Sequence, residues 1–167
     1  MEHKDGVLYV NGVSQGTYNS LYIKKILSRL DTKTTDKALV LGGGTYAIPK
    51  WLRERAVDVT VVEIDKDIAL RYSDRIPTIV ADYREFLSNN TNLYDYVIFD
   101  VFNGNEPVGN NEQIQHAAAL ATKKFLANWI TEYRFHLGYA LFPAPKCLMS
   151  IKTNNGLYQE VYEVNYQ

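Results

Sequence analysis

Cysteine is nearly absent from this 167-residue chain: Cys147 stands alone, which excludes an intrachain disulfide framework. Histidine is scarce as well. His3, His116 and His136 lie far apart, with neither CxxC nor HxxxH spacing, so no structural zinc site is expected. An excess of charge of one sign is also missing, because 18 Lys and Arg stand against 19 Asp and Glu. A chain this close to neutral exerts no broad pull on a polyanion, which argues against nucleic acid or an anionic membrane as a partner. Arg53, Arg55 and Lys123-Lys124 read as solvated helix faces. No apolar stretch approaches the roughly 20 residues needed to cross a bilayer, and the opening residues turn polar before a secretory segment could form. The expectation is a soluble, cytoplasmic protein in a reducing compartment.

What is present is the composition of a globular domain, 46% apolar and 22% charged, with length enough for one real core. Residues 1–36 are expected to form a β-hairpin and a helix, and residues 37–167 the remainder of one compact unit. Val7–Val10 and 13–17 flank Asn11-Gly12, a dipeptide that supplies the positive φ angles of a type I′ hairpin turn. Leu21, Ile23, Ile26, Leu27 and Leu30 then follow helical spacing behind a cap at Asn19 or Ser20.

From 37 to 100 two periods alternate. The apolar runs 38–41, 57–64, 78–80 and 96–99 read as strands buried on both faces, and 47–55, 66–72 and 83–88 read as helices between them. That rhythm predicts an α/β fold: a Rossmann-like, mostly parallel sheet flanked by helices, with ligands bound beyond the carboxyl ends of the strands. Farther on, 112–133 reads as one long helix, and 137–142, 148–152 and 157–164 as closing strands.

The candidate site gathers at strand ends. Gly42-Gly43-Gly44 follows the first buried strand and opens a helix with Pro49 in its first turn, so the backbone there can approach a ligand or simply turn tightly. Glu63 ends the second strand about twenty residues later, the interval at which a carboxylate accepts both ribose hydroxyls of a nucleoside, while Asp65 is the better helix cap. Asp82, beside Tyr83, follows the third strand. It can accept the adenine amino group, or form a capping box with Glu85. Asp100 ends the fourth strand ahead of a loop holding Asn103, Gly104 and Asn105, a reaction centre or else a turn former. GGGTYA lacks the GK[ST] of a phosphate loop and the register of GxGxxG, which favours an adenosine site without a pyrophosphate and disfavours NAD.

These residues resemble a known family, the spermidine synthase-like aminopropyltransferases within the AdoMet-dependent, methyltransferase-fold enzymes. The resemblance runs from about Leu8 to Pro107. It is carried by the hairpin segment 8–15 ending in Gln15, by Gly42-Gly43-Gly44, by Val62-Glu63-Ile64-Asp65, by 82–87 and by 94–100. It implies that Gln15 contacts the nucleoside, Glu63 the ribose, Asp82 the adenine and Asp100 an acceptor amine, with Tyr22 as an active-site tyrosine. The chain departs from the pattern at Thr45, where the family places an aspartate against the ammonium of decarboxylated AdoMet, and at Tyr46, where it places glycine. Asn103 and Asn105 stand where a further acid belongs, which weakens attraction for a polyamine. Without the acid at position 45, ordinary AdoMet is admissible. Aminopropyl transfer, methyl transfer and non-catalytic binding of AdoMet or methylthioadenosine are therefore the alternatives, none calling for a metal. The 112–133 stretch leaves the family's pattern short of a strand and a helix, so a homo-oligomer that covers the sheet edge is expected.

Overall fold

The alternating periods fold as a layered α/β unit in the computed structural model, which describes residues 2–4, 7–10, 13–14, 20–103, 106–107 and 109–167. Strands β1 (Glu2–Lys4), β2 (Val7–Val10) and β3 (Val13–Ser14) pair antiparallel in a small sheet of their own. Val10 pairs with Val13 across the expected hairpin turn, whose residues 11 and 12 lie outside the described residues, as does Gln15. β1, absent from the sequence reading, adds a third strand with Glu2 opposite Tyr9.

Helix α1 (Leu21–Leu27) starts behind Ser20 and leads into β4 (Lys37–Leu41), α2 (Ala47–Glu54), β5 (Asp58–Glu63), α3 (Lys66–Tyr72), β6 (Thr78–Val80), α4 (Tyr83–Asn89) and β7 (Tyr94–Phe99). A two-residue ladder, β8 (Phe102–Asn103) with β9 (Glu106–Pro107), precedes α5 (Asn111–Ala119), β10 (Ala121–Thr131), β11 (Lys146–Lys152) and β12 (Tyr158–Asn165). The main sheet runs β11-β12-β10-β7-β4-β5-β6. β6, β5, β4, β7 and β10 are parallel, and β12 inserts antiparallel between β10 and β11. The order reverses direction at β4, where the chain returns to place β7 on the other side, so the crevice at the ends of β4 and β7 is a topological switch point.

Successive strand residues point to opposite faces, and each face is apolar. Ala38, Val40, Val59, Val61, Tyr96 and Ile98 pack beneath α1, α2 and α3 with Ile26, Leu52 and Ile68. Leu39, Leu41, Val97, Phe99 and Phe125 pack beneath α4 and α5 with Leu87, Ile114 and Ala117. Among the described residues no helix is long and apolar enough to cross a membrane.

Two expectations fail, both late in the chain. The stretch 112–133 is not one helix: α5 stops at Ala119, and after Leu120 the chain becomes the eleven-residue β10, paired with β7 on one side and β12 on the other. Phe125, Leu126, Ala127, Asn128 and Trp129 are buried in succession because both faces of this central strand are covered. A continuous apolar run has no two-residue period, and the alanines before it favour helix, so local pattern misassigned it. The missing strand of the resemblance is thus present. Residues 137–142 are likewise not a strand. They hold a 3₁₀ turn at His136–Gly138, and Leu137 and Leu141, four apart, both face the core, which is a helical rather than an alternating repeat.

Candidate functional site

The turn after β4 is built from two glycines with different tasks. Gly42 has φ 87, donates its N–H to Val62 O at 2.8 Å, and has no room for a side chain: a Cβ there would lie 2.1 Å from Asp100 O. Its close approach is to β7 and not to open space. Gly44 has φ 53 and a Cβ position with nothing within 4 Å, so it leaves uncovered backbone at the mouth of the turn. Thr45, next in sequence, is buried. Tyr46 holds φ 59, a left-handed conformation that favours glycine. It is retained there by a stacking contact with Tyr72 at 4.3 Å and a 3.0 Å hydrogen bond between its hydroxyl and Thr78 Oγ1. Burial pushes its phenol up to about 12. The departure from glycine is therefore accommodated with the left-handed turn intact.

Glu63 faces this turn from the end of β5. Its Oε2 accepts from Gly43 N at 2.8 Å and Gly44 N at 3.4 Å, and its Oε1 accepts from Asp65 N at 2.8 Å. The side chain is 7% exposed, so the carboxylate is nearly enclosed by the turn it organises. An ionised carboxylate has about four acceptor sites; the two 2.8 Å bonds and the long 3.4 Å bond from Gly44 N leave one site free and one weakly held, room for two further hydroxyl donors if the Gly44 bond yields. Asp65 caps α3 as expected, accepting from Asp67 N at 2.9 Å and Ile68 N at 3.1 Å.

Asp82 lies two residues past β6 and caps α4, but by accepting from Arg84 N at 2.8 Å instead of forming a reciprocal box with Glu85. The Arg84 guanidinium also grips both carboxylate oxygens, and its hydrogen bonds hold Asp82 below the usual carboxylate range. The capping box of this region belongs to Asn110 and Gln113 at the start of α5. Tyr83 turns its ring inward against Phe99, edge to face at 5.3 Å, and donates its hydroxyl to Gln113 Oε1 at 3.0 Å, so its side chain is core.

Asp100 and Tyr22 meet directly. Tyr22, on α1, donates its hydroxyl to the Asp100 carboxylate, while Asn128 Nδ2 on β10 donates to Asp100 Oδ1 at 2.9 Å. Asp100 is half-buried as a residue, yet its carboxyl is enclosed, and the loss of hydration pushes it up to about 6. The two hydrogen bonds work against that rise, and the negative charge of Glu63 adds to it. Burial and the Asp100 charge push the Tyr22 phenol well above its ordinary value, so it remains a donor.

Tyr22, Gly42, Gly43, Thr45 and Asp100 line one crevice with Ile48 and Pro49. Glu63 reaches its rim through the glycine turn, whereas Asp82 and Tyr83 lie beyond β5 and do not line it. Asn103 is placed in β8 by its backbone, and Asn105 lies outside the described residues. Sequence reasoning missed Asn128 and Gln159, whose Nε2 donates to Asn128 Oδ1 at 3.2 Å. The available signal was a lone amide inside the apolar run Phe125–Trp129. Among the described residues no group of His, Cys, Asp and Glu side chains has the arrangement of a metal site.

No protein-family model matches the chain. Over 84 residues it is 39% identical to the N-terminal histidine N-methyltransferase of Emericella nidulans, an alignment that covers 42% of this chain, which spans only about 15% of that relative's length. Among solved structures, it is similar to the magnesium protoporphyrin IX methyltransferase of Synechocystis PCC 6803 with bound SAM, at a TM-score of 0.61 and 15% identity over 92% of this chain and 79% of that one. The N-methyltransferase NodS of Bradyrhizobium japonicum aligns with a TM-score of 0.62 and 11% identity over 87% of this chain and 94% of that one. The fold is thus the Rossmann-like fold of AdoMet-dependent methyltransferases. None of these three relatives is an aminopropyltransferase, so the narrower resemblance to spermidine synthase gains no support from them.

Proposed function

We propose that the protein is an AdoMet-dependent methyltransferase that delivers the methyl group to a nitrogen acceptor. The observation that carries this reading is the Glu63 carboxylate held against the Gly43 and Gly44 amides at the mouth of the β4 turn, with the Asp100 carboxyl in the adjoining crevice. Spare acceptor capacity on Glu63 suits two vicinal hydroxyls, and the open side of Gly44 suits a sugar lying against bare backbone. When bound, AdoMet supplies an electrophilic methyl carbon on a sulfonium sulfur.

The chain's own work is alignment and proton handling. Glu63 fixes the ribose, and the buried Thr45 brings no negative charge to the amino-acid end, which leaves a substrate carboxylate unopposed. In that chemistry the methyl group would pass to the acceptor nitrogen with the electron pair of the broken bond left on sulfur, and Asp100 would take the proton that the nitrogen loses. A carboxyl raised to about 6 is ionised at neutral pH and is a better base than an ordinary aspartate. The choice of nitrogen draws on the names of the two N-methyltransferase relatives. Asp82, held by Arg84, is the reserve partner for the adenine amino group.

A second reading, aminopropyl transfer from decarboxylated AdoMet, is favoured by one contact, the Tyr22 hydroxyl on Asp100, which places an aromatic hydroxyl beside the carboxyl that would receive an amine. Calorimetry with AdoMet, its decarboxylated form and S-adenosylhomocysteine separates the two. Tighter binding of the carboxylate-bearing nucleosides is expected. Preference for the decarboxylated form would transfer support to the second reading, and binding of none would overturn both.

A further inference from the structure

The face of the sheet beneath α1 is apolar until it reaches the crevice, where it turns polar across three strands at once. On β7 the row passes from Ile98 to Asp100, on β10 from Leu126 to Asn128, and on β12 from Val161 to Gln159. Ile98 pairs with Leu126, and Asn128 pairs with Val161, so the polar residues form a diagonal across neighbouring strands. Asn128 is only 3% exposed. A buried amide is costly unless both ends are bonded, and here they are. Its Nδ2 donates to Asp100 Oδ1 at 2.9 Å, and its Oδ1 accepts from Gln159 Nε2 at 3.2 Å.

That chain has a direction. An ionised Asp100 can only accept, so the Asn128 amino group turns toward it, and the Gln159 Nε2 donor on the other side holds the Asn128 oxygen turned away. Asp100 thereby receives donors from two elements, Tyr22 on α1 and Asn128 on β10, while the carboxylate of Glu63 acts on it from β5. Nothing in the apolar packing of this face requires an amide at position 128. The residue below it in the row, Leu126, shows what packing alone selects.

We propose that Asn128, held in its donating orientation by Gln159, is a positioning residue that fixes the Asp100 carboxylate in the crevice and keeps it available as a base. The catalytic consequence rests on the methyltransferase reading, but the effect on Asp100 does not. Asn128→Leu removes the donor at nearly constant volume. Gln159→Leu leaves Asn128 in place at a half-buried site and guards against a variant that fails to fold. The carboxyl carbon of Asp100 is titrated by NMR in the ligand-free, full-length chain.

The midpoint is expected to rise by about one unit in Asn128→Leu, the scale of one lost hydrogen bond to a charged group, and by less in Gln159→Leu. In a turnover assay the acid limb of the kcat profile moves up by the same amount, with a roughly fivefold loss near pH 6 that is recovered at alkaline pH. A midpoint unmoved in both variants, or a pH-independent loss of kcat, would overturn the assignment. If the wild-type chain turns over no acceptor, the transferase reading falls while the NMR titration still decides the role of Asn128.

Discussion

Replacing Glu63 with alanine tests the fold and the site in one substitution. The carboxylate receives two hydrogen bonds of 2.8 Å, from Gly43 N and Asp65 N, and a longer one of 3.4 Å from Gly44 N. The Gly43 bond is buried and the Asp65 bond partly so; a buried N–H left without a partner costs about 1–3 kcal/mol, and one that water can reach costs less. The sum is about 2–4 kcal/mol, which in a chain of this size lowers Tm by about 5–15 °C. Differential scanning calorimetry without ligand measures that part. The nucleoside part is separate. Two hydroxyl donors to a charged acceptor, even at the low end of about 1.5 kcal/mol each, correspond to a loss of 100-fold or more in affinity. Comparing S-adenosylhomocysteine with its 2′-deoxy analogue distinguishes loss of a ribose contact from general damage: the wild type discriminates between them, and Glu63→Ala does not. An alanine variant that melts within 1 °C of wild type, or one that still discriminates, would refute the reasoning.

Three further outcomes are expected. The Asp100 carboxyl titrates near 6, above its unfolded value, so the folded chain holds this proton through the window from about 4 to about 6. Its contribution to stability is then lost as pH rises through that window, as much as about 3 kcal/mol. Asp100→Asn lacks this fall, and urea midpoints at pH 4.5 and 7.5 will differ less in the variant than in wild type while transfer activity disappears. At position 46 the left-handed φ reverses the usual order of small residues: both truncations lose the stacked ring and about 3–5 kcal/mol, but Tyr46→Gly is more stable than Tyr46→Ala by about 1 kcal/mol in urea unfolding. An alanine variant that is the more stable of the two would contradict the strain at this site. Arg29 forms a two-bond pair with the nearly buried Glu163 at 2.8 and 2.9 Å and holds that carboxyl below its ordinary range, with Lys124 also at 3.4 Å. Arg29→Met is expected to cost about 1–2 kcal/mol at pH 7, discounted because the arginine is partly exposed and Lys124 remains. Since the Glu163 pKa is depressed, the difference is present above its unfolded value near 4.5 and vanishes as pH falls through the folded one; a gap that persists at pH 3 would sink the assignment.

The first half of the main sheet could be read along the chain, where short-range pattern and fold agree. Strands β4 to β7 and the helices between them were legible because apolar runs and helical periods alternate at spacings that suit parallel strands joined by helical crossovers, and Gly42, Glu63, Asp82 and Asp100 were legible because each follows or closes such a run. The remainder depends on how distant segments meet. The segment 121–131 became a strand because β7 and β12 enclose it on both sides, a condition that erases the two-residue period by which a strand is read. Asp82 went to Arg84 and Tyr83 to the core. Asn128 reached Asp100, and Gln159 reached Asn128, from strands distant in the chain, because hydrogen bonds across a sheet are made by register between neighbours and leave no trace in spacing along the chain.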